Sequence, residues 1–136
     1  MKIYVVVIMA VIIIWTLVGC NERNANITDK QGNGYRQISM NEAVTMFAKE
    51  TDYIILDVRT PEEFSQRHIP NAINVPNETI GTMEIPELPD KEQLIFVYCR
   101  SGNRSKQASE KLVSLGYTNI VEFGGINDWT GETVSE

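Results

Sequence analysis

The loop "CRSGNRS" (Cys99–Ser105) places one thiol among two arginines, a glycine and two serines. The apolar run "QLIFVYC" ends at that cysteine, and the helical spacing of Ala108, Leu112 and Leu115 starts directly after the loop. A thiol at the end of a strand and the mouth of a helix faces backbone N–H groups that have no intrahelical partner. The helix dipole favours an anion there by up to ~2 kcal/mol in partly buried geometry. Arg100 and Arg104 add positive charge. The thiolate is the nucleophilic form of cysteine, so the pattern points to covalent catalysis by Cys99. A cationic loop of this kind needs no histidine base, and the one histidine, His68, lies far away in sequence.

The elements that must position this loop alternate. "YIILDV", "AINV", "QLIFVYC" and "NIVEF" are short apolar runs of the kind that suit strands covered on both faces. "YRQI" is a further strand candidate. Between the runs lie helix signatures. "SMNEAVTMF" opens with Ser39 and Glu42 as a capping box, and "TPEEF" has Thr60 as cap, Pro61 in the first turn and Glu63 closing a second box. The glutamates of "TPEEF" are therefore helix-start residues. Gly116 suits the end of the helix after the loop. "GGINDW" is predicted to start a short helix that buries Trp129, and "TIGTMEIPELPD" is an irregular connection. Strands alternating with helices imply an α/β domain with a mainly parallel sheet.

Ligands of open α/β sheets bind at the carboxyl ends of the strands. Asp57 and Arg59 end the "YIILDV" strand, on the same rim as Cys99. They either orient the loop and hold an anionic ligand, or form a structural ion pair, and the two roles are compatible. Arg100 either tunes ligand choice or is simply solvated. Gly102 supplies a turn conformation denied to other residues.

The first twenty residues have a different character. "MKIYVVVIMAVIIIWTLVGC" has one lysine, an apolar stretch and a small-residue exit, the layout of a signal peptide. The stretch is shorter than the roughly 20 apolar residues that span a bilayer. An uncleaved anchor helix is the alternative. "LVGC" resembles the bacterial lipobox, which implies removal of residues 1–19 and diacylglycerol on Cys20. Residues 20–34 are then a lipidated cysteine and a polar tether, and residues 35–136 the folded domain. With Cys20 lipidated, Cys99 has no internal partner among the two cysteines, which suits a reactive thiol. The net charge of −6 and the lack of any basic run argue against nucleic acid as partner.

Three motifs carry a family resemblance. "CRSGNRS" resembles the Cys-x-x-Gly-x-Arg-Ser loop of rhodanese-domain sulfurtransferases. "LDVRTPEEFSQRHIPNAINVP" (Leu56–Pro76) resembles a second signature of that family, and "GGINDW" (Gly124–Trp129) a third. Arg67 and Asn71 depart from it, since the family often carries glycine there. The resemblance implies a three-layer α/β fold of about five strands. It also implies a persulfide carried on Cys99, taken from thiosulfate, a polysulfide or another persulfide and passed to cyanide or a thiol, a protein thiol included. Arg100, Ser101, Gly102, Asn103, Arg104 and Ser105 form the active loop, and Arg104 closes it by satisfying loop carbonyls. His68 is structural. No cofactor or metal is implied.

Four residues separate Cys99 from Arg104, where phosphatases of related fold have five. The shorter loop resembles a sulfur-sized pocket. The expectation is a lipid-anchored sulfurtransferase on the extracytoplasmic face of the cell membrane. The rival is a rhodanese-like sensing or binding module with little turnover.

Overall fold

The computed structural model describes residues 34–81 and 84–136. The expected signal peptide, Cys20 and the tether up to residue 33 lie outside the described residues. Five strands form one sheet: β1 (Arg36–Gln37), β2 (Tyr53–Asp57), β3 (Ala72–Asn74), β4 (Leu94–Cys99) and β5 (Ile120–Gly125). Their spatial order is β1-β5-β4-β2-β3, and every pairing within the sheet is parallel. Among the described residues, three α-helices complete the layers: α1 (Met40–Phe47), α2 (Pro61–Gln66) and α3 (Asn103–Ser114).

Strand β4 lies at the centre, which explains its unbroken apolar sequence. Successive side chains alternate between faces. Ile95, Val97 and Cys99 join the layer of Ala108 and Leu112 from α3. Phe96 and Tyr98 join the opposite layer with Ala43 of α1, Val121 and Phe123. Leu112 is fully buried, and truncating such a residue to alanine costs about 2–5 kcal/mol. The two layers grip β4 from both sides, so the strand end that carries Cys99 is fixed.

Both expected capping boxes form. Ser39 accepts from the Glu42 amide and Thr60 from the Glu63 amide, while each glutamate carboxylate reaches back to the cap amide. Pro61 occupies the first turn of α2. Gly116 takes a left-handed φ of 92° just past α3.

Trp129 departs from expectation. "GGINDW" yields only a 3₁₀ turn (Ile126–Asp128), and Trp129 stays half-buried. Its indole N–H donates to the Glu132 carbonyl at 2.8 Å. The chain end then returns over α2, where His68 and Val134 exchange backbone bonds of 2.8 and 2.9 Å. This tail holds Trp129 beside the core without enclosing it.

Candidate active site

Cys99 ends β4 and is 1% exposed. The chain then turns through Arg100 and Ser101 to Gly102, the N-cap of α3, whose φ of 101° lies in the left-handed region. That turn swings the Gly102 N–H back onto the cysteine, where it donates to Sγ at 3.0 Å. A side chain at residue 102 would be strained in this conformation, so the glycine is what brings a backbone donor to the sulfur.

Strand β5 supports the loop from beneath. Val97 pairs with Glu122, but Cys99 pairs with Gly125, so β5 holds one extra residue between those rungs. Gly124, with φ of 95°, sits in this bulge. A bulge re-aims a strand locally, and here it lays Gly125 directly against the loop. A Cβ at Gly125 would collide with the carbonyl of Arg100. The same carbonyl accepts the Asn127 amide at 3.2 Å.

A buried polar network fills the space under the sulfur. Ser105 Oγ lies 3.5 Å from Cys99 Sγ and donates to Glu122 Oε1 at 2.6 Å. Glu122 also accepts the Gly124 amide at 2.9 Å. Ser105 is fully buried and Glu122 is 3% exposed. Glu122 was not singled out from sequence. The signal was a lone carboxylate inside the apolar run "NIVEF", because a doubly covered strand leaves no solvent face for it.

Arg104 departs from the expected role. Its guanidinium does not close on loop carbonyls but forks onto the Glu63 carboxylate, with bonds of 2.7 and 2.9 Å. Glu63 therefore caps α2 and clasps α3 at once. The Arg104 bond holds the Glu63 carboxyl down at about 2, and the same bond raises Arg104 above its ordinary value. A helix-start glutamate and a loop arginine 41 residues apart meet only in the fold.

Asp57 and Arg59 do meet, on the same rim as the loop. Arg59 Nε lies 3.0 Å from both Asp57 oxygens, and Arg59 also donates to the Arg67 carbonyl at 2.6 Å. Burial works against the Arg59 charge, but the Asp57 carboxylate outweighs it and the guanidinium is held above its ordinary value. Its guanidinium carbon stands 5.7 Å from the Tyr98 ring centroid. Burial above all raises the Tyr98 phenol.

Outside the ion pair, a cavity of about 280 Å³ is lined by Arg59, Arg67, Arg100 and Asn127. Arg67 and Arg100 are exposed there. Ser101 and Asn103 are exposed on the outer side of the loop. His68 stacks on Phe64 at 3.8 Å with Nδ1 2.8 Å from the Phe64 carbonyl, which is a structural position.

A wholly parallel sheet whose central strand delivers a buried cysteine to a short loop with an inward amide defines a class of α/β proteins built around a cysteine nucleophile. The chain belongs to the rhodanese-like domain family, whose pattern matches residues 39–132. The thiosulfate sulfurtransferase PspE of Escherichia coli is 40% identical over 73 residues, covering 54% of this chain and 70% of PspE. A sulfurtransferase of Allochromatium vinosum is 39% identical over 83 residues, covering 60% of this chain and 76% of that protein. The chain spans 27% of a longer relative, the adenylyltransferase and sulfurtransferase uba4 of Ogataea parapolymorpha, at 34% identity. Among solved structures, a rhodanese with anions from E. coli superposes with a TM-score of 0.57 at 36% identity, covering 62% of this chain and 99% of that one. A rhodanese-like domain protein from Staphylococcus aureus superposes with a TM-score of 0.61 at 28% identity, covering 74% and 97%. Family and relatives together support sulfurtransferase activity.

Proposed function

We propose that the chain is a lipid-anchored sulfurtransferase that takes sulfane sulfur from thiosulfate, a polysulfide or a persulfide. The observation that carries this reading is the Gly102 amide donating to Cys99 Sγ at 3.0 Å inside a short cationic loop. The Cys99 thiolate attacks the outer sulfur of the donor. A new S–S bond forms, the donor's own S–S bond breaks, and the leaving group departs with the electron pair, as sulfite when thiosulfate is the donor. A thiolate or cyanide then attacks the outer sulfur of the persulfide and releases Cys99 as thiolate. Splitting one transfer into two steps is covalent catalysis. Hydrogen-bond donors already in place stabilise the sulfur anion without reorganising. Sulfur rides on Cys99 itself, so the reaction uses no cofactor and no metal. Asp57 and Arg59 support the rim, and the loop from Arg100 to Ser105 forms the pocket.

The test is a donor–acceptor panel on the full-length chain. Thiosulfate should add about 32 Da, one sulfur atom, to the Cys99 peptide, and cyanide or a thiol should remove it. Absence of the adduct with every donor would reject the reading.

Burial of Cys99 to 1% exposure favours a second reading, a module that accepts one sulfur and holds it for a partner. An adduct that forms but resists both acceptors would select it.

The anchor rests on "LVGC" after an apolar run. Cys20 would carry the lipid and hold the domain outside the cytoplasmic membrane, with more than one acyl chain making the attachment stable. Cys20→Ala should leave a longer precursor and abolish fatty-acid labelling. Labelling that survives the substitution would refute a lipid on Cys20.

A further inference from the structure

We infer that Ser105 and Glu122 form a proton relay that converts the Cys99 thiol into the thiolate. The inference deepens the sulfurtransferase reading and rests on it. A cysteine 1% exposed has little access to bulk water as a proton acceptor, and the only histidine is committed to Phe64 on another element. Among the described residues, the groups that hydrogen-bond the sulfur are the Gly102 amide, which only donates, and the Ser105 hydroxyl.

That hydroxyl carries one proton and has three other oxygens near it: Glu122 Oε1 at 2.6 Å, the Gly102 carbonyl at 2.9 Å and the Gly124 carbonyl at 3.4 Å. A separation of 2.6 Å to a carboxylate is in the range of strong charge-assisted O–H···O⁻ bonds, so the proton lies toward Glu122. The lone pairs of Ser105 Oγ are then free to accept from Cys99 Sγ–H. The chain Sγ–H to Oγ–H to Oε1 is continuous and points one way.

The step balances. The Sγ–H bond breaks as a new Oγ–H bond forms, and the original Ser105 hydroxyl proton passes to Glu122 Oε1. The electron pair stays on sulfur and nothing is oxidised or reduced. The network holds one negative charge before and after, so no charge is added to a buried site when the nucleophile forms. Ser105 Oγ–H then donates back to the thiolate, beside the Gly102 N–H. Among the described residues no lysine or arginine is within ion-pair distance of Glu122, so its carboxylate is not tied to a cation. A separate cavity of about 440 Å³ is lined by Ser101, Lys106, Glu122 and Gly124; the transferred proton stays on Glu122 while the thiolate acts, which keeps the network at one negative charge. Ser105 touches the reacting atom and is catalytic. Glu122 acts through it and is a positioning residue.

The experiment is alkylation of Cys99 in the full-length chain as a function of pH, read on the Cys99 peptide by mass spectrometry so that Cys20 does not contribute. The thiolate form keeps a constant population wherever the network carries one negative charge. Wild type should therefore show a flat stretch in its pH–rate profile. Glu122→Gln should remove the flat stretch and leave a tenfold rise per pH unit, whereas Ser105→Ala keeps the carboxylate but loses the hydroxyl that bonds the thiolate and should keep a flat stretch at a lower rate. Each should slow alkylation at pH 6 by about 100-fold, the low end for a positioned proton acceptor. Were Glu122 only a fixed negative charge, Glu122→Gln would make the thiolate easier to form and alkylation faster. Alkylation in Glu122→Gln as fast as wild type or faster, a wild-type rate in Ser105→Ala, or no flat stretch in wild type would each overturn the relay. Ser105→Ala removes only a hydroxyl and decides the matter should Glu122→Gln fail to fold. Alkylation needs no sulfur donor, so a failed relay and a failed sulfurtransferase reading are separate results.

Discussion

The loop has a floor and a rim, and they are built on different physics. The floor consists of the Gly102 amide, Ser105, Glu122 and the glycines of β5. It is buried and held by hydrogen bonds between 2.6 and 3.5 Å. The rim consists of the ion pairs Arg59–Asp57 and Arg104–Glu63 together with Arg67 and Arg100, and it spans the range from buried to exposed. Hydrogen bonds gain strength in a low-dielectric interior, whereas exposed charges are screened by water and salt. Changes in the floor should therefore act on the chemistry. Changes in the rim should act on stability where the charges are buried and on ligand capture where they are not.

Cys99→Ser is the largest expected effect. Serine fits the same volume, and its alkoxide is far harder to form than a thiolate, so sulfur transfer should vanish while the melting temperature stays near wild type. Retained thiosulfate:cyanide turnover in this variant would erase the distinction between floor and rim, because no other described cysteine exists to carry the sulfur.

Asp57→Ala comes next and acts on stability. Asp57 is fully buried and Arg59 is 4% exposed, so removing the carboxylate leaves an uncompensated buried cation. Breaking such a pair costs about 3–5 kcal/mol. The double variant Asp57→Ala/Arg59→Met should recover most of that loss, since an apolar pair of similar volume replaces a buried ion pair at little cost. Denaturant unfolding of the three proteins measures this. A double variant as unstable as the single one would show that Arg59 matters through its bond to the Arg67 carbonyl rather than through its charge.

The contrast also separates what the sequence disclosed from what it concealed. Cys99, Gly102 and both capping boxes were legible because each depends on neighbours within a few residues. The parallel sheet was legible because doubly covered strands lose their polar alternation. The Arg104–Glu63 clasp was not, since its partners are 41 residues apart and Glu63 already had a sufficient local role as a cap. Glu122 was hidden because its hydroxyl partner Ser105 is distant in sequence and meets it only where α3 packs on β5. Trp129 was misjudged because an aromatic residue after a glycine pair resembles core, and only the return of the tail through Glu132 gives its N–H a partner.

The Arg104–Glu63 clasp should have a smaller effect, and a pH signature. Both side chains are 26% exposed, so solvent screening limits the pair to about 1 kcal/mol. The Glu63 carboxyl is lowered from 4.5 to about 2 by Arg104. A depressed carboxyl contributes stability above its unfolded value, and that contribution is lost as pH falls through the folded value. Wild type should therefore be more stable than Glu63→Gln at pH 7, and the gap should close between about pH 4.5 and pH 2. Glutamine still closes a capping box, so the substitution removes the charge and keeps the cap. A gap that does not change across that window would mean the clasp works through packing alone.

Arg100→Gln is the smallest expected effect and the sharpest test of the rim. Arg100 is exposed and lines the cavity with Arg59 and Arg67, and it has no carboxylate partner among the described residues. A unit charge about 6 Å from the thiosulfate dianion in water contributes about 1.4 kcal/mol, and screening at 0.1 M salt cuts that roughly in half, to about 0.7 kcal/mol, a roughly threefold change in capture. Arg100→Gln should raise KM for thiosulfate about threefold and leave kcat for the Cys99 chemistry unchanged. The wild-type advantage should fade as ionic strength rises, because the Debye length shrinks from about 10 Å at 0.1 M to 3 Å at 1 M salt. Arg67→Gln should behave alike, and the double variant should be close to additive, since the two charges act on the ligand rather than on each other. A fall in kcat that salt does not restore would move Arg100 from the rim to the floor, with its carbonyl bond to Asn127 as the route by which a change there reaches the sulfur.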